Sequence, residues 1–230
     1  MITWLYANSY NVLLGLGGIA VIILMIMRRS QYRLAIWQAG VLGLSLLLCA
    51  VAGAKLLYII ESGGETAGMS LFGAVYLVLL CMPLIGRIFS LKGAQALDAC
   101  APCGALIIGV VRFGCYLSGC CGGKFANLGS WVFQWPTQIM ESFCDFLILA
   151  LLLQMEKKKH RPGSLYAWFL ILYCLIRFMI EFLRNTPKDW IFLSHGQWFA
   201  MIGFTMGLVV LICTHFHKEE RYEKHKKDKP

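Results

Sequence analysis

Apolar residues gather in seven long stretches, near residues 9–27, 35–60, 69–88, 100–117, 137–155, 164–183 and 196–216. A helix needs roughly 20 mostly apolar residues to cross a bilayer. The stretches therefore predict an all-α fold, a polytopic membrane bundle of about seven transmembrane helices. The fourth is interrupted by Arg112, and the second is long enough to extend past the hydrocarbon at its outer end. No internal repeat breaks the pattern. Residues 1–216 read as one transmembrane domain, and residues 217–230 as a basic cytoplasmic tail expected to fray.

Composition agrees with lipid as the solvent. The 230 residues are 59% hydrophobic and 14% charged, against roughly half and a quarter in a soluble domain. The start, Met1-Ile2-Thr3-Trp4, lacks a basic residue, so no cleaved leader is expected. The net charge of +9 could suggest nucleic acid, but its placement argues for topology. Arg28, Arg29 and Arg33 follow the first span, and Arg87 and Lys92 follow the third. Lys157, Lys158, Lys159 and Arg161 follow the fifth, and six further basic residues lie in the tail. All fall on one side of an odd-numbered bundle. Basic loops stay in the cytoplasm, which puts the N-terminus outside and the C-terminus inside. No nucleic-acid partner is expected.

The other charges are the informative ones. The second span reaches the outer side with Lys55, Tyr58 and Glu61, and the fourth with Arg112. The fifth starts there with Gln138 and Glu141. The sixth ends there with Tyr173, Arg177, Glu181 and Arg184, which share one helical face. An ionisable residue within a span costs roughly 2.5–3.5 kcal/mol at the bilayer centre. Snorkelling accounts for Lys and Arg near an edge, but not for Glu141 and Glu181 among them. A polar cavity open to the outer leaflet accounts for all. Guanidinium groups donate paired hydrogen bonds to phosphate oxygens. In a bilayer, phosphate belongs to lipid headgroups. The residues thus point to an anionic phospholipid as partner.

At these residues the sequence resembles the prolipoprotein diacylglyceryl transferase family. Asp98, Ala101-Pro102 and Arg112-Phe113-Gly114 resemble its Asp, Ala-Pro and Gly-Arg-x-Gly-Asn-Phe-x-Asn-Gly signature. Pro136-Thr137-Gln138-Ile139-Met140-Glu141 resembles its Pro-Ser/Thr-Gln-Leu-Tyr-Glu. Tyr173, Arg177-Phe178, Glu181-Phe182 and Arg184 keep the spacing of its Tyr-x-x-x-Arg-Phe-x-x-Glu-Phe-x-Arg. Gly196-Gln197-Trp198 and Gly53-Ala54-Lys55 with Tyr58 resemble two further motifs, Lys55 standing for the usual Arg. The resemblance implies a seven-helix transferase of the bacterial cytoplasmic membrane. Its substrates would be phosphatidylglycerol and the lipobox cysteine of a prolipoprotein. A diacylglyceryl group moves to the thiol as a thioether, and glycerol phosphate leaves. It implies no cofactor. It casts Arg112, Arg177 and Glu181 as catalytic, and Lys55, Tyr58, Gln138, Glu141, Tyr173 and Arg184 as substrate-binding residues.

The departures leave alternatives open. The family carries a His at its third helix, a candidate for activating the thiol. Phe72 stands at that position here. The segment after Arg112 is Gly114-Cys115-Tyr116-Leu117-Ser118-Gly119-Cys120-Cys121, which resembles a divergent branch of the family. Cys120 is a candidate reactive thiol, a disulfide partner, or a small residue in a glycine-rich turn. The Cys100-x-x-Cys103 pair lies toward the other end of a span about 27 Å long, so one four-thiolate zinc site is not expected, and no metal is assigned. The other readings are a transferase with a different acceptor or donor, a thiol-redox membrane protein, and a non-catalytic lipid-binding subunit. The isolated His195, His215 and His217 read as interface residues, and Trp131, Trp135, Trp190 and Trp198 as belt anchors.

Overall fold

A computed structural model describes residues 2–65, 68–129, 131–158, 160–186 and 192–227. Lys159 and Trp190 fall outside the described residues. Seven helices each have the length and apolarity to cross a membrane: α1 (Ile2–Met27), α2 (Ile36–Glu61), α3 (Leu71–Ile88), α4 (Gly93–Leu117), α5 (Thr137–Lys157), α6 (Ser164–Glu181) and α7 (His195–Lys227). A two-stranded antiparallel hairpin, β1 (Phe125–Leu128) and β2 (Trp131–Gln134), lies between α4 and α5. Large apolar side chains such as Leu48, Leu80, Phe143, Leu151 and Met179 stay exposed, as lipid-facing positions should.

Three boundaries differ from expectation, the first being the start of α1 at Ile2 rather than near residue 9. The fourth helix begins at Gly93, about two turns before the expected start near residue 100. Its opening turns carry Gln95 and Asp98, which broke the apolar pattern. Gln95 accepts the Lys92 backbone N–H at 3.2 Å. Asp98 is buried and accepts the backbone N–H groups of Gly163 at 2.6 Å and Tyr166 at 3.0 Å. It caps the start of α6 from a neighbouring helix, satisfying donors that a helix start leaves free. The tail also differs: α7 continues to Lys227 instead of fraying after residue 217.

Packing is tight where small residues permit it. A Cβ at Gly53 would run into the carbonyl oxygen of Gly73, and one at Gly73 into that of Gly53. The α2 and α3 backbones therefore touch, as small residues allow between membrane helices. The Arg28 end of the bundle is fastened by polar groups. Arg28 forms a buried ion pair with Glu156, donates to the Ala99 carbonyl at 2.9 Å and lies 3.6 Å from the Cys103 Sγ. Tyr32 donates to Glu156 at 2.6 Å. The opposite end gathers the C-termini of α2, α4 and α6 and the N-termini of α5 and α7.

Candidate functional site

At that opposite end, the inward face of α6 carries Tyr173, Arg177 and Glu181, one turn apart each, with Arg184 just beyond its last residue. The start of α5 sets Glu141 against them, and the last third of α4 contributes Arg112. Arg112 Nε lies 2.6 Å from Glu141 Oε2, and Arg177 Nη1 lies 2.5 Å from Glu141 Oε1. Arg177 Nη2 lies 2.8 Å from Glu181 Oε2. Glu181 Oε1 also accepts the hydroxyls of Thr186 at 2.9 Å and Ser194 at 3.1 Å. Arg184 approaches Glu181 and Glu141 only at 3.7 and 3.9 Å. Asp145, one turn deeper than Glu141, lies within electrostatic reach of Glu141, Arg112 and Arg177.

Three guanidinium groups thus surround two carboxylates, all buried. Several donors find no acceptor among the described residues: Tyr173 Oη, Arg177 Nε, Arg184 Nε and Nη1, and Gln197 Nε2. A buried donor left unpaired costs about 1–3 kcal/mol, more when charged. Burial, with the charges of Arg177 and Arg112, pulls the Arg184 pKa below its usual value. An arriving anion would relieve both penalties. Phosphate offers several acceptor oxygens and negative charge.

The loop after α4 lies beside this cluster. The Cys115, Cys120 and Cys121 Sγ atoms all lie within 4.8 Å of one another. Gln138 donates to the Cys120 carbonyl at 2.6 Å, and Thr137 to the Cys121 carbonyl at 3.4 Å. The first turn of α5 therefore holds the thiol loop, and its next turn holds the arginines through Glu141. A hydrogen bond with Cys115, helped by the charges of Arg184 and Arg112, lowers the Cys121 thiol to about 5.

The family is decided by comparison with known proteins. The sequence model of the prolipoprotein diacylglyceryl transferase family matches residues 2–213. This chain belongs to that family. It is 28% identical to the phosphatidylglycerol–prolipoprotein diacylglyceryl transferase of Clostridium tetani, over 92% of this chain and 94% of the relative. A second enzyme so named, from Clostridium perfringens, is 27% identical over 88% and 89% of the two chains. That of Bordetella avium is 32% identical over 64% of this chain and 61% of its own length. Family membership and the seven helices make this a multi-pass membrane protein of the transferase class.

Of the family-like positions, Arg112, Glu141, Tyr173, Arg177, Glu181 and Arg184 meet in one cluster, and Gln138 borders it through the thiol loop. Tyr58 does not join them by hydrogen bonding: its hydroxyl donates to Glu65 at 3.4 Å, and its ring lies against Gly68. Lys55 is half-buried on α2. Phe72, at the family His position, is buried among Tyr76, Tyr173 and Phe199. Sequence reasoning missed two polar neighbours, Asp145 and Ser194, and named Gln197 only within a motif. Asp145 carried a signal, since it sits four residues after Glu141 and so on the same face. The sequence placed Cys115, Cys120 and Cys121 at the outer end of α4, but their approach to within 4.8 Å depends on the fold.

Proposed function

We propose that this chain transfers the diacylglyceryl group of phosphatidylglycerol to the lipobox cysteine thiol of a prolipoprotein. The reaction would take place at the outer leaflet of the bacterial cytoplasmic membrane, with the N-terminus outside. The observation that carries this reading is the set of buried donors on Tyr173, Arg177 and Arg184 that lack acceptors. They are the groups a headgroup phosphate would engage in a protein of this family. Glu141 and Glu181 hold Nη1 and Nη2 of Arg177, which aims its free Nε. As the bond between glycerol carbon and phosphate oxygen breaks, charge builds on the departing phosphate. Arg112, Arg177 and Arg184, already in place and shielded from water, stabilise it. Lys55 adds positive charge from the α2 side, and Tyr58 and Gln138 contact substrate at the rim. Glu141 and Glu181 orient the arginines through their ion pairs.

The test uses phosphatidylglycerol labelled in its headgroup, a lipobox peptide and the purified protein. Label should appear as free glycerol phosphate only when the peptide cysteine is present, and Arg177→Ala should abolish its release. Release that ignores the peptide, or survives Arg177→Ala in folded protein, would refute the proposal. A second reading keeps the lipid donor and changes the acceptor. It is favoured by Phe72, an aromatic ring that cannot take a proton where the resemblance implies a His. It expects phospholipid binding and no transfer to a lipobox peptide.

A further inference from the structure

Transfer to a thiol needs a thiolate, because the neutral thiol is a weak nucleophile and ionises near pH 8.5 when free. The carboxylate of the cluster that no arginine ion pair holds, among the described residues, is Asp145, buried one turn deeper than Glu141. Phe72 cannot accept a proton, and Glu141 and Glu181 are held in ion pairs with arginines. The chain has also assembled three cysteines beside the arginine cluster.

Their meeting follows from the end of α4. Gly119 takes a left-handed conformation with φ +69, and its N–H donates to the Tyr116 carbonyl at 3.1 Å. The Cys120 N–H then donates to the Cys115 carbonyl at 3.1 Å. These are the paired bonds of a Schellman helix stop, which folds the chain back over the last turn. Cys120 and Cys121 are carried over Cys115, and the Thr137 and Gln138 side chains fix the loop from α5. Cys115 is buried, whereas Cys120 and Cys121 are exposed.

We propose that Cys115, Cys120 and Cys121 bind a zinc-class ion through three thiolates, and that its fourth position takes the acceptor cysteine thiol. This rests on the transferase reading above. Zinc–thiolate bonds of about 2.3 Å put sulfur atoms roughly 3.8 Å apart on a tetrahedral ion, so the three thiols need to close by no more than about 1 Å. Catalytic zinc sites keep three protein ligands and one open position, and soft thiolate ligands select such metals over magnesium or calcium. A coordinated thiol is deprotonated outright. Three thiolates and one divalent ion carry net negative charge, and a fourth thiolate adds more. Arg112 and Arg184, within electrostatic reach of Cys121, offset it.

The step balances without any redox change. The acceptor thiol loses its proton to water on binding the ion. A sulfur lone pair then attacks the glycerol carbon that bears the phosphate ester oxygen. The new bond is carbon–sulfur, the broken bond is carbon–oxygen, and its electron pair leaves with glycerol phosphate. The neutral thioether is a weak ligand and departs. The arginines thus receive the leaving group while the metal presents the nucleophile, and the lost His is replaced by metal activation.

The test loads reduced, chelator-stripped full-length protein in lipid nanodiscs with zinc or cobalt(II). Wild type and Cys213→Ser should each bind one ion per chain. Cys115→Ser, Cys120→Ser and Cys121→Ser should each bind at least tenfold more weakly while keeping the melting temperature of stripped wild type. The cobalt form should show a thiolate charge-transfer band, and its visible spectrum should change with a lipobox peptide but not with the Cys→Ser peptide. Binding that is absent, or that persists in all three variants, overturns the proposal, as does a cobalt spectrum indifferent to the peptide. A disulfide among the three that survives mild reductant also overturns it. The two readings fail separately. Full-rate transfer by the metal-stripped protein sinks the metal and leaves the transferase. Peptide bound to the metal with no transfer from phosphatidylglycerol sinks the transferase and leaves the site.

Discussion

Arg184 and Arg177 sit in the same cluster, yet their removal should have opposite signatures. Arg177 touches both carboxylates, at 2.5 and 2.8 Å. Arg184 touches neither closely, at 3.7 and 3.9 Å, and its Nε and Nη1 are unpaired. Distances of that length are not hydrogen bonds. Replacing Arg184 by Ala therefore removes no hydrogen bond between side chains. It also removes a buried charge that two neighbouring arginines already disfavour. The expected stability change is within about 1 kcal/mol and can be favourable. Function should respond differently. A charge-assisted hydrogen bond to phosphate contributes about 1.5–3 kcal/mol, so losing even one weakens lipid use roughly 10- to 150-fold. Arg184→Lys keeps the charge but not the fork and should recover only part of the loss. The assay measures the phosphatidylglycerol dependence of transfer, alongside thermal unfolding in nanodiscs. A variant that melts far below wild type, or that uses phosphatidylglycerol as well as wild type, would refute the assignment of those donors to phosphate.

Other perturbations test other parts of the account. Arg177→Ala leaves Glu141 and Glu181 buried and facing each other, so it should cost about 3–5 kcal/mol in unfolding experiments as well as abolish transfer. Glu156→Gln breaks the Arg28 pair at the far end of the bundle. It should lower the melting temperature while the surviving folded protein keeps its transfer rate, read by normalising activity to the folded fraction. Gly73→Ala pushes a methyl group into the Gly53 carbonyl, and overpacking of this kind costs about 1–3 kcal/mol, measurable as earlier thermal unfolding. In metal-free, reduced protein, the rate of Cys121 alkylation should follow the thiolate. It should hold as pH falls from 8 toward the region near 5 and drop only there. Cys115→Ala removes the hydrogen bond and should move that drop to higher pH.

The sequence made the architecture legible because lipid solvation writes itself as long apolar runs. Most helix boundaries fell within a few residues of expectation. The start of α4 did not, because Asp98 serves a neighbouring helix start, a partnership that no local pattern contains. The stripe from Tyr173 to Arg184 was legible from helical periodicity alone, and Glu141 from its position at a span start. Their distances were not, since the clamping of Glu141 between Arg112 and Arg177 joins three separate helices. The thiol cluster shows a different limit. Its cysteines were visible, but their approach depends on a helix stop at Gly119 and on hydrogen bonds from α5, which only the fold brings together.

The central claim is that this chain makes a carbon–sulfur bond on a lipobox cysteine at the expense of phosphatidylglycerol. Mass spectrometry of the peptide after incubation with purified protein and phosphatidylglycerol tests it most directly. The account expects one diacylglyceryl group per peptide, on the cysteine, as a thioether that resists mild alkaline hydrolysis. It expects none on the serine peptide and none with phosphatidylcholine as the sole lipid. An unmodified peptide from folded, lipid-bound wild-type protein would contradict it.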